Sequence, residues 1–92
     1  PKWQQTYIEA VFYTNVGDPV SAFKLLTPFE KEIAQNEDYY LNYFYISQRA
    51  GEQEKAEQVI NKIIKDTKNK AKLNELRFQK ALLFYQTKRY SE

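Results

Sequence analysis

The feature that most limits what this chain can fold into is a pair of bends set at a fixed interval. Gly17 and Gly51 stand 34 residues apart, and so do Ala22 and Ala56, so Gly-x-x-x-x-Ala occurs twice in the same phase. The chain holds two glycines in all, and both fall in this pattern. Glycine accepts the left-handed conformation that lets a chain leave one helix and turn sharply into the next. Alanine five positions on lets the second helix approach the first closely. Recurrence at this interval predicts a helix–turn–helix unit used more than once.

The segments between the bends carry helical periodicity. From Trp3 to about Val16, the residues Trp3, Tyr7, Ala10, Val11 and Thr14 recur at helical spacing, and Phe12 and Tyr13 widen the stripe. Asp18 then reads as an N-cap and Pro19 as the first residue of a second helix, where a missing N–H does no harm. That helix carries Val20, Phe23, Leu26 and Ile33 on one side and runs to about Gln35. Pro28 interrupts it. The run Thr27-Pro28-Phe29-Glu30 predicts a kink with an internal capping box, Thr27 bonding forward and Glu30 reaching back.

Asn36-Glu37-Asp38 opens a third, unusually aromatic helix from Tyr39 to Ala50. A strand over Tyr39–Ile46 fits the residue propensities but not the pattern, which does not alternate. Glu52 to about Thr67 is the clearest helix, with Ala56, Val59, Ile60, Ile63 and Ile64 at 3–4 spacing. After the polar turn Lys68-Asn69-Lys70, a fifth helix is predicted from about Ala71 to Gln86, with Leu73, Leu76, Ala81, Leu82, Phe84 and Tyr85 as its apolar side. A sixth begins at Lys88. Gln79–Tyr85 aligns with Ile8–Thr14, which gives Ala81 the same small contact position as Ala10 and sets Lys88 where the two glycines stand.

A 34-residue helical hairpin period with Gly17, Ala22, Gly51 and Ala56 in phase resembles the tetratricopeptide repeat family. The resemblance covers almost the whole chain, as units at about 3–36, 37–73 and an incomplete 74–92 of a single domain, 1–92, read as a fragment of a longer protein. It implies an all-α fold of antiparallel hairpins stacked in a right-handed superhelix. Departures from the pattern are Phe44, where the family has a small residue, Ser47, where it has an aromatic, and the missing proline at the end of a unit. Either a large–small exchange between Phe44 and Ser47 repacks that pair, or the register of the third helix is shifted by one.

The resemblance also implies that the first helix of each unit lines an inner face. Unit one would supply Gln4, Tyr7, Val11, Thr14 and Asn15. Unit two would supply Asp38, Leu41, Tyr45, Gln48 and Arg49, and unit three Glu75, Phe78, Leu82, Tyr85 and Gln86. Its centre is apolar and aromatic with a polar border, which is the anatomy of a groove for a peptide or helix. Tyr7, Tyr45 and Tyr85 are the expected anchors, since tyrosine offers a large contact area at low entropic cost. The same stripe is also what a packed core requires. Family members that grip a C-terminal carboxylate use Lys and Asn at positions held here by Tyr7, Val11, Leu41 and Tyr45, so that clamp is not implied. Arg49 can still pair with an acidic ligand.

Composition narrows the alternatives. Hydrophobic residues make up 42% of the chain, with eight Tyr, six Phe and one Trp, so aromatic packing must carry much of the core. Fourteen basic and twelve acidic residues are interspersed, for a net charge of +2, without the basic stripe of a nucleic-acid reader. With no Cys and no His, thiolate and imidazole metal sites and Ser/Cys–His nucleophiles have no components, and no glycine-rich phosphate loop is present. No cofactor, catalytic residue or membrane span is expected. The reading is a scaffold that binds a protein or peptide partner, with self-association through uncapped repeat ends. Two other readings stand beside it: the peptide-sensing part of a transcription regulator, whose texture Leu76–Leu82 shares, and a structural repeat of a bacterial envelope assembly protein.

Overall fold

The computed structural model describes residues 2–91, with the side chains of residues 2–85. The fold is all helical: α1 Lys2–Asn15, α2 Pro19–Leu26, a 3-10 turn Thr27–Phe29, α3 Glu30–Ile33, α4 Glu37–Arg49, α5 Gln53–Asp66 and α6 Lys70–Ser91. Among the described residues there is no strand, and no helix is long and apolar enough to cross a membrane. Helix α1 packs on α2, α2 on α4, α4 on α5 and α5 on α6.

The two glycine bends are the same structure. Gly17 has φ +85° and Gly51 φ +81°. At the first, Gly17 N–H donates to Thr14 O at 3.2 Å and Asp18 N–H to Tyr13 O at 2.8 Å. At the second, Gly51 N–H donates to Gln48 O at 3.2 Å and Glu52 N–H to Ser47 O at 2.9 Å. Both are Schellman motifs, in which a left-handed residue turns the chain back to bond the last carbonyls of the helix. Five residues on, Ala22 and Ala56 are fully buried at the hairpin contact.

Helix starts are set by short polar side chains. Asp18 accepts from Ser21 N–H at 3.1 Å and from the Ser21 hydroxyl at 2.7 Å, with Pro19 beginning α2. Asn36 accepts from the N–H groups of Asp38 and Tyr39, and Asn69 does the same for Ala71 and Lys72. Each satisfies donors that a helix's first turn leaves open.

The break at Pro28 occurs, but not as a capping box. The Thr27 hydroxyl bonds backward to Phe23 O at 2.8 Å, and Glu30 reaches across to Tyr40 Oη at 3.3 Å and Lys55 Nζ at 2.9 Å. Pro28 cannot donate to the preceding turn, so the chain tightens into a 3-10 turn before resuming as α3.

Helix α4 forms the centre of the core. Tyr43, Phe44 and Ser47 are fully buried, and the Ser47 hydroxyl donates to Tyr43 O at 2.7 Å. The large–small exchange is thus accommodated: Phe44 fills the place that corresponds to Ala10, and Ser47 the place that corresponds to the exposed Tyr13. The Tyr43 ring stacks on Phe23 with centroids 5.7 Å apart, and its hydroxyl meets the Thr27 oxygen at 3.0 Å. Burial pushes the Tyr43 hydroxyl up to about 12.

The expected faces of two helices differ. Val20 is exposed, because α2 turns Ala22 and Leu26 inward instead. Among the described side chains of α6, Leu76 and Leu83 are buried, while Ala81, Leu82, Phe84 and Tyr85 face outward. Ala81 therefore does not repeat the buried contact of Ala10: α6 packs through its Leu76–Leu83 side onto α5, and no described helix follows to cover its other side. Nor does a third bend or a new helix begin at Lys88, since the backbone of α6 stays helical through Ser91.

Candidate binding groove

A groove of about 210 Å³ lies between α1 and α4. From α1 it takes Tyr7, Val11, Thr14 and Asn15, and from α4 Asn42, Tyr45, Ile46 and Arg49. These are helical ridges at spacings of three and four, held side by side because both helices lie against α2. The Schellman bends fix where each ridge ends. Val11 and Tyr45 are 34 residues apart, and so are Asn15 and Arg49, so the repeat places equivalent positions next to one another.

Tyr7 is held firmly. Its ring meets that of Tyr39 edge-on with centroids 4.6 Å apart, Trp3 supports Tyr39 from 5.6 Å, and Asn42 Nδ2 donates to the Tyr7 hydroxyl. Burial raises the Tyr7 hydroxyl above its ordinary range, against the opposing Asn42 hydrogen bond. Tyr45 is also half-buried and packs beside Phe44 at 5.2 Å. Its hydroxyl is raised by burial and then by the negative charge of Glu75 on α6. Ile46, 5% exposed, forms apolar floor.

The polar groups divide into occupied and free. Thr14 spends its hydroxyl proton on Ala10 O at 2.9 Å. The Asn15 amide, the Tyr45 hydroxyl and the Arg49 guanidinium make no hydrogen bond or ion pair among the described residues. Among the described residues, Arg49 is the one charged side chain lining the groove.

Of the inner-face residues read from sequence, Tyr7, Val11, Thr14, Asn15, Tyr45 and Arg49 come together here. Leu41 and Gln48 sit half-buried on α4 outside the lining, with Leu41 packed against the core. Gln4 and Asp38 are exposed on the same two helices. On α6, Glu75, Phe78, Leu82 and Tyr85 are exposed and do not line this groove, with Phe78 at 61% and Tyr85 at 65%. The side chain of Gln86 lies outside the described residues.

Asn42 and Ile46 line the groove without having been singled out. The lining 42–45–46–49 keeps Tyr45 and Arg49 of the expected 38–41–45–48–49 but takes Asn42 and Ile46 in place of Asp38, Leu41 and Gln48, because Tyr39, Tyr43 and Phe44 pack into the core and fix which way α4 turns. Among the described residues, no three Asp or Glu side chains gather where they could hold a metal ion. Comparison of this chain with family models, with curated proteins and with solved structures finds no match.

Proposed function

We infer that this chain is a tetratricopeptide-like interaction scaffold that holds a segment of another polypeptide in the groove between α1 and α4. One observation carries the reading: residues at equivalent repeat positions, Val11 with Tyr45 and Asn15 with Arg49, line a single hollow on the first helices of two hairpins. The two matching glycine bends support a repeated hairpin as the building unit. The apolar floor and tyrosine walls are what a short peptide or helix face desolvates against, with amides placed to bond its backbone. The Tyr7 and Tyr45 hydroxyls are raised, not lowered, and among the described residues no carboxylate lines the groove beside them, which supports binding over catalysis.

The test is retention of short peptides from a random-sequence array by the wild-type chain and by the pair Val11→Ala and Tyr45→Ala made together. Both side chains are partly exposed, so the pair leaves the core intact, which circular dichroism verifies. Loss of the retained peptides supports the groove, and retention unchanged in the folded double variant rejects it. The uncovered side of α6, with Phe78, Leu82, Phe84 and Tyr85, supports self-association as a second property. A mass by light scattering that stays at one chain at high concentration would reject that property.

A further inference from the structure

We propose that the groove selects a peptide segment bearing an internal Asp or Glu side chain, seated against Arg49 and Asn15, with an adjacent aliphatic or aromatic side chain resting on Val11 and Ile46. This rests on the groove reading above and specifies its ligand. The argument is charge complementarity. Among the described residues, Arg49 is the one ion in the lining, and its guanidinium is unpaired although three ion pairs form elsewhere on the surface. In those pairs Glu30 holds Lys55, and Glu37 and Asp38 share Lys72.

Asn15 and Arg49 occupy the same place in their hairpins, in the last turn before each glycine bend. The repeat therefore presents a planar guanidinium and a free amide together at one mouth of the hollow. A guanidinium fork matches the two oxygens of a carboxylate, and the amide can donate to the remaining lone pair. The negative ends of the α1 and α4 dipoles also point to this mouth and oppose an anion, so the preference is modest.

The probe is an array of short, C-terminally amidated peptides in which aliphatic and aromatic residues flank Glu, Gln or Lys at one place. The wild-type chain is expected to retain Glu peptides about threefold more tightly than Gln peptides, the scale of an exposed charge pair. Arg49→Gln should equalise the two, and Arg49→Glu should favour Lys. Equal retention of Glu and Gln by the wild type, or an unchanged ranking in Arg49→Glu, overturns the acidic assignment. If binding is then still lost in the Val11 and Tyr45 pair, the groove itself stands. Preference for a Gln peptide with a free terminal carboxylate over its amidated Glu counterpart also overturns the internal-acid assignment. Retention of no peptide overturns both readings.

Discussion

Phe12 and Ile46 hold equivalent positions in the two hairpins, yet Phe12 is 60% exposed and Ile46 is 5% exposed. The bends that follow them are alike in φ and in hydrogen bonding. What differs is company. Helix α4 lies between α2 and α5 and buries Tyr40, Tyr43, Phe44, Ile46 and Ser47, whereas α1 packs principally on α2 and buries Ala10 alone. The repeat thus dictates backbone and register, while neighbours decide what each position is worth.

The comparison can be broken in order of effect. Phe44→Ala should cost about 3–5 kcal/mol, the range for removing a fully buried aromatic ring, measured by urea unfolding. A cost near zero would mean that α4 is not the centre of the core. Ile46→Ala should cost about 2–4 kcal/mol against about 0.5 kcal/mol or less for Phe12→Ala, since only the first leaves a cavity. Equal costs would erase the difference between the hairpins.

Gly17→Ala and Gly51→Ala should each cost about 1–2 kcal/mol, and by similar amounts. A Cβ at either position meets nothing within 4 Å, so backbone strain alone sets the penalty. Unequal values would show that the two bends are not equivalent under load.

The smallest difference is in pH dependence. Hydrogen bonds from Ser21 lower the Asp18 carboxyl below its ordinary value. A depressed carboxyl stabilises the fold above its unfolded value of about pH 4, and the contribution fades as pH falls through the folded value. Asp18→Asn should flatten that part of the acid-unfolding profile. Glu52 stands at the equivalent place without a side-chain cap.

Much of this fold was legible because short-range chemistry wrote it. The two bends, the N-cap at Asp18, the start of a helix at Asn36-Glu37-Asp38 and the Ala56–Ile63 stripe of α5 follow from glycine, capping and periodicity. The break at Pro28 was legible too, but not its wiring, because Glu30 was claimed by Tyr40 and Lys55, distant in sequence. Helix α6 was misread for a different reason. It carries two apolar stripes, one through Leu76 and Leu83 and one through Phe78, Leu82 and Tyr85, and local pattern cannot say which one meets α5. The groove was half legible. Position in the repeat identified the α1 side, whereas the turn of α4 that brings Asn42 and Ile46 forward depends on core packing around Tyr43.

The central claim is that the hollow between α1 and α4 is where a partner segment sits. Amide resonances of an isotopically labelled chain, followed while a retained peptide is titrated in, test it most directly. The account predicts saturable shifts at Val11, Asn15, Asn42, Tyr45 and Arg49, with Lys31 and Lys62 beside the α3 surface unmoved. Shifts centred on Lys31 and Lys62, with the groove amides still, would contradict it.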